Sequence, residues 1–117
     1  MANMDDETRD EIIGSINETR EDMTKSNNID RFKGWTRTIL YNFIDTDDFF
    51  SFEVVDGAPG PIVEGEIESP DIRIRMSSET MLKLIRGQLN GMVAFTTGKV
   101  KVKASMSDFS KLQKLFS

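Results

Sequence analysis

Asp45, Asp47 and Asp48 place three carboxylates within four positions. These are hard oxygen donors of the kind that hold calcium. The spacing departs from a calcium loop, because Phe50 stands where its glycine belongs and Asp56 where its glutamate belongs. A hairpin turn accounts for the acids instead, since Asp side chains bond to nearby backbone. Glu64, Glu66 and Glu68 alternate with Val63, Gly65 and Ile67, the pattern of a strand with one solvated face. Lys99, Lys101 and Lys103 alternate in the same way, as on a solvated face or an edge strand blunted by charge. Gly57 and Gly60 sit in a Pro-rich turn rather than ahead of a helix, so they make no phosphate loop or dinucleotide fingerprint. Arg31, Lys33 and Arg37 cluster after the first helical segment. They admit two readings, a plain surface charge cluster or a contact for a carboxylate head group.

The chain has no histidine and no cysteine. Ser-His and Cys-His nucleophiles are thereby excluded, and so are metal sites of the usual kind. No cofactor is expected, and an enzyme is the least favoured class. The net charge of −5 argues against nucleic acid, which demands a clustered positive field. It also argues against purely electrostatic docking on anionic membranes, while transient membrane contact stays open. The absence of cysteine suits a reducing compartment. The first residues are acidic and polar and lack the pattern of a secretory signal. A cytoplasmic location is the expectation. At 117 residues, one domain over 1–117 is expected.

The elements that must carry the apolar residues follow from periodicity. Residues 5–25 read as a helix with a thin stripe of Ile12, Ile16 and Met23, broken by Ser26-Asn27-Asn28. Over 35–76 the period drops to two. Trp35, Ile39, Tyr41 and Phe43 fall on one face of a first strand, and Phe50, Phe52 and Val54 on one face of a second. A short charged strand at 62–68 and a fourth at 72–76 follow, and short turns between the four predict an antiparallel meander. Over 77–117 the period returns to 3.6. A helix capped by Ser77 or Ser78 runs to Gly87, one or two helical turns cover 91–97, and a fifth strand carries Val100, Val102 and Ala104. A closing helix over 107–116, capped by Ser107, turns Phe109, Leu112, Leu115 and Phe116 inward. The predicted class is α+β, a single twisted, largely antiparallel five-stranded sheet with helices on one face.

Within this frame the chain resembles the sterol carrier protein-2 family. The residues that carry the likeness are Leu84-Ile85-x-Gly87, Leu89-Asn90, Ala94-Phe95-x-x-Gly98-Lys99-Val100-Lys101-Val102 and Lys111-Leu112, preceded by Asp71-Ile72-x-Ile74-x-Met76-Ser77. It extends over about residues 30–117. Ala104-Ser105 replaces a glycine frequent in the family after the fifth strand, and Leu115-Phe116-Ser117 does not look like a peroxisomal tripeptide. The resemblance implies an apolar tunnel between sheet and helices that takes a fatty acid, sterol or other lipid without catalysis. The expected wall is Phe50 and Phe52 from the sheet, Met76 at the strand end, Met81, Leu84, Ile85 and Leu89 from the first long helix after it, Met92 and Phe95 from the short one, and Met106, Phe109 and Leu112 from the last. Met side chains suit adaptable pockets. Taken singly, each of these residues fits a plain core better than a ligand wall. A protein-interaction or enzyme-accessory module of the same fold, its centre filled by its own side chains, is the competing reading. The oligomeric state is not legible in the sequence.

Overall fold

The computed structural model describes residues 3–116, with side chains as far as Leu115. The inward placement expected of the Phe116 side chain lies outside the described residues. Helix α1 (Asp6–Met23) is capped by Asp5, whose carboxylate accepts the Thr8 N–H at 2.8 Å. It buries Ile12, Ile16 and Met23, one stripe four and seven residues apart. Helix α2 (Ile29–Phe32) is a single turn that buries Phe32 against Trp35, ring centroids 5.3 Å apart. Strands β1 (Arg37–Phe43) and β2 (Asp48–Val55) form the expected hairpin, with Tyr41 opposite Phe50 and Ile39 opposite Phe52. The acids between them are its turn, and Asp47 adopts the left-handed φ of 56° that Asp tolerates there.

The meander breaks up after β2. Pro59 and Pro61 lack a backbone donor, so the next residues pair only in fragments. These are β3 (Ala58–Pro59) and β4 (Val63–Glu64), both antiparallel to β2. The predicted strand at 62–68 goes no further. Residues 56–71 instead carry the chain across to the far side of β1, where β5 (Ile72–Met76) runs parallel to it. A crossover of a dozen or more residues is what a parallel pair requires. Gly57 makes the exit from β2 possible. Its φ is +81°, its N–H bonds to Trp35 O at 2.9 Å, and a Cβ there would stand 2.6 Å from Phe32 O.

Helix α3 (Ser78–Ile85) is capped by the Ser77 hydroxyl, and Gly87 at φ +71° turns the chain out of it. Helix α4 (Gly91–Thr96) leads to β6 (Lys101–Lys103), antiparallel to β5, and helix α5 (Met106–Phe116) closes the chain. The α5 cap is Ser105, not Ser107. Its hydroxyl accepts the Asp108 N–H at 3.1 Å and its carbonyl the Phe109 N–H at 2.9 Å.

The sheet order is β3-β2-β1-β5-β6, with β4 also on β2, so six strands stand where five were expected. The fold class holds: α+β, mostly antiparallel and open. One face of the sheet forms the core with α1, α3 and α5, through Ile39, Tyr41, Phe43, Phe50, Phe52, Ile72 and Ile74. On the other face, Arg73 stands opposite Lys103 and Arg75 opposite Lys101. Among the described residues none of these four pairs with a carboxylate.

Asp45 ties the hairpin turn to α3, accepting from the Ser78 N–H at 2.8 Å and the Ser78 hydroxyl at 2.6 Å. Partial burial would raise its pKa, but the bonds from Ser78 outweigh that and hold it below the ordinary 3.8. A carboxylate whose folded pKa is depressed stabilises the fold above its unfolded value and loses that contribution as pH falls through the folded one. Asp45→Ala is therefore expected to destabilise the chain by about 1 kcal/mol at pH 7. The difference from the parent should vanish in urea titrations run well below pH 3.8. An equal difference at both pH values would contradict the assignment.

Candidate ligand cavity

Helices α3 to α5 do not close down on β5 and β6. Between them lies a cavity of about 550 Å³. Its floor is the inner face of the sheet: Tyr41 from β1, Ile74 and Met76 from β5, and Val100 and Val102 at β6. Helix α3 presents Met81, Leu84 and Ile85, a stripe with helical spacing. Leu89 to Met92 and Phe95 come from the α3–α4 turn and α4, and Phe109, Leu112 and Gln113 from α5. Helix α1 adds Ser15 and Thr19, four residues apart on one face.

The short helix α4 forms the outer rim. The Asn90 side chain caps it by accepting the N–H groups of Met92 at 2.8 Å and Val93 at 3.3 Å. Its carbonyl at Ala94 takes the N–H groups of Lys99 and Val100, which holds the following turn. Met92 remains 49% exposed and Phe95 38% exposed, so the cavity opens to solvent here. The Phe95 and Phe109 rings meet across it at 5.0 Å. On the floor, Tyr41 is only 4% exposed. Burial pushes the Tyr41 phenol well above its ordinary value of 10.0, and the neighbouring Thr19 side chain draws it back only in part. It is a neutral hydroxyl at any physiological pH. Among the described residues that line the cavity, none is Asp, Glu, Lys or Arg.

The structure brings together Met76, Met81, Leu84, Ile85, Leu89, Met92, Phe95, Phe109 and Leu112 of the residues expected in the wall. It does not bring Phe50, Phe52 or Met106 there. Phe50 and Phe52 lie on β2, beyond β1 from the cavity, and are packed into the core. Helix α1 covers them, with the Arg9 guanidinium 5.8 Å from the Phe50 ring and Arg20 Nε on Gly60 O at 2.6 Å. Met106 opens α5 directly after the edge strand, where no further element covers it, and is 84% exposed. The cluster of Arg31, Lys33 and Arg37 does not face the cavity either. Arg31 Nη1 bonds to Asn28 Oδ1 at 2.6 Å, and Arg37 Nε to Asp108 at 2.9 Å. The expected wall lacked the polar Ser15, Thr19, Tyr41, Asn90 and Gln113, and also Ile74, Gly91, Val100 and Val102. A search for polar residues on the inner faces of α1 and β1 would have found Ser15, Thr19 and Tyr41. A second, polar cleft at the lower end of β5 and β6 holds Arg73 and Lys103, with Asp71 bonded to the Thr38 N–H at 2.9 Å.

Comparison with solved structures shows the same fold in proteins of distant sequence. Palmitated SCP2L2 from Aedes aegypti is 18% identical, with a TM-score of 0.64 over 97% of this chain and 95% of that one. The sterol carrier protein domain 2 of Helicoverpa armigera is 21% identical, with a TM-score of 0.62 over 90% and 84%. The stereoselective inverting sec-alkylsulfatase Pisa1 from Pseudomonas sp. is 19% identical, with a TM-score of 0.56 over 74% of this chain. There the likeness spans only 13% of the longer protein, and 16% of a double mutant of it. No curated protein sequence matches significantly. The profile of the SCP-2 sterol transfer family, however, matches residues 15–117, and the chain belongs to that family.

Proposed function

We propose that the chain binds an apolar ligand in this cavity, non-covalently and without turnover, and carries it between sites of release and uptake. The observation that supports this reading is a cavity of about 550 Å³ with an uncharged, mostly apolar wall that opens to solvent at α4. A dry void of that size would cost on the order of 13 kcal/mol at the rate measured for empty cavities. The whole folding free energy of a domain is about 5–15 kcal/mol. The space is therefore one that water or a ligand must fill. An acyl chain of about 15 methylenes gains roughly 12 kcal/mol on burial, against association costs of about 4–15 kcal/mol. At the low end of those costs about 8 kcal/mol remains, the affinity of a micromolar complex, with weak discrimination among apolar chains.

The wall supplies hydroxyls and amides but no histidine, carboxylate or amine to move a proton, which supports a carrier over an enzyme. No described helix is long and apolar enough to cross a membrane, so exchange with a bilayer would take place by transient contact of the rim at Met92 and Phe95. Titration with a fluorescent fatty-acyl probe is the direct test, together with mass spectrometry of whatever copurifies. Saturable binding in the micromolar range is expected. A survey of apolar ligands in which none binds more tightly than about millimolar, the weak end of specific recognition, would refute the reading.

A further inference from the structure

The cavity combines two features that bear on its ligand, and the inference from them rests on reading it as a binding site. Hydroxyls from α1 and β1 line one side of it, and none of the described residues that line it is charged. Ser15 and Thr19 lie one helical turn apart on α1, and Thr19 neighbours the Tyr41 phenol. The Ser15 hydroxyl donates to and accepts from no other described residue. The Thr19 hydroxyl donates to Ser15 O at a long 3.3 Å. We infer that Ser15, Thr19 and Tyr41 receive an uncharged hydroxyl group, so that the protein selects a long-chain alcohol over an ionised fatty acid of the same length.

The chemistry favours this pairing. A hydroxyl both donates and accepts, so an alcohol can exchange hydrogen bonds with each of the three side chains. An ionised carboxylate only accepts, and it would lose its hydration without gaining a cation. Three cations on the surrounding helices are already engaged. Arg20 bonds to Gly60 O at 2.6 Å and Asn17 Oδ1 at 2.7 Å, and Arg86 to Glu11 at 3.1 Å. Lys111 bonds to Arg31 O at 2.7 Å. A fatty acid must then either bind protonated or keep its head in water rather than against the hydroxyls.

The test is competition between a bound fluorescent apolar probe and three ligands: 1-dodecanol, dodecanoate and, as a reference without a head group, dodecane. At pH 8 the alcohol is expected to displace the probe at about tenfold lower concentration than the acid, a difference of about 1.4 kcal/mol. The gap should close as pH falls toward the ordinary carboxyl range of about 4–5, while displacement by the alcohol stays constant. Tyr41→Phe keeps the ring and removes the hydroxyl. It should weaken dodecanol roughly three- to tenfold, as expected for one neutral hydrogen bond, and leave dodecane unchanged. Ser15→Ala, which suits a helix, should act in the same direction. Dodecanoate binding as tightly as dodecanol at pH 8, or both variants weakening dodecane as much as dodecanol, would overturn the inference while leaving the carrier function standing. Failure of the fluorescent probe itself to bind saturably would instead remove the carrier reading, and this inference with it.

Discussion

Replacing Asp108 with alanine should destabilise the chain by about 2–4 kcal/mol, the range for breaking a buried, charge-assisted bond while its donors stay behind. Asp108 sits in the first turn of α5 and is 4% exposed. One carboxylate oxygen accepts the Trp35 indole N–H at 2.9 Å, the other the Arg37 Nε–H at 2.9 Å. These bonds join the last helix to the start of β1 across more than seventy positions of sequence. In the alanine variant the indole N–H of a buried Trp has no acceptor, and α5 loses an acid favourable at its N-terminus. Asparagine in the same place keeps an acceptor without the charge and should lose roughly half as much. Burial would raise the Asp108 pKa, but the bonds from Trp35 and Arg37 outweigh it and hold the group below its ordinary 3.8. The stability it supplies is thus fully present at neutral pH and is lost as pH falls through the depressed folded value. Urea unfolding at pH 7 and again well below pH 3.8 measures both effects. A variant within about 0.5 kcal/mol of the parent at pH 7 would place Asp108 among ordinary surface residues.

The second large effect should fall on binding rather than on stability. Leu84 points from α3 into the cavity, and its side chain is half-buried. Tryptophan at this position fills space that no protein atom occupies. Competition for that space should weaken an acyl ligand by at least about tenfold, or 1.4 kcal/mol. Filling a cavity commonly stabilises a fold by about 0.5–2 kcal/mol, so the thermal midpoint of the ligand-free variant should hold or rise. Stability and affinity moving in opposite directions is the signature of a ligand space. A core position gives the reverse, as overpacking lowers stability. Undiminished probe binding in Leu84→Trp, with the midpoint unchanged, would show that the ligand lies elsewhere.

Most of the apolar framework was legible because it obeys one period at a time. Phe50, Phe52 and Val54 alternate, Met81, Leu84 and Ile85 recur at helical spacing, and the structure buries or partly buries each of them. The path between strands was not legible. Periodicity assigns residues to a face but not a strand to a neighbour, and β5 took the far side of β1 because residues 56–71 are too poor in paired donors to continue the hairpin series. That choice also decided the site. With β5 beside β1, the cavity sits over β1, β5 and β6, and the two phenylalanines of β2 fall under α1 instead. The polar side of the cavity was hidden for another reason. Ser15 and Thr19 interrupt the thin apolar stripe of α1, and in sequence an interruption reads as solvent exposure. Met106 failed in the opposite sense: an apolar residue three before Phe109 shares its helical face, yet it opens the helix where nothing remains to pack on it.

The two like-charged pairs across β5 and β6 have a consequence for behaviour in salt. Adjacent strands are about 4.8 Å apart, so Arg73 repels Lys103, and Arg75 repels Lys101, at close range on the solvent side. Directly opposed like charges weaken a strand pair. Yet β6 is also the open edge of the sheet, and a second copy approaching edge to edge would bring the same lysines against its own. The repulsion that loosens the edge within one molecule also keeps molecules apart. The screening length shrinks from about 10 Å at 0.1 M ionic strength to about 3 Å at 1 M. Raising the salt should therefore tighten β6 onto its sheet and, in the same step, remove the barrier that keeps two such edges from joining.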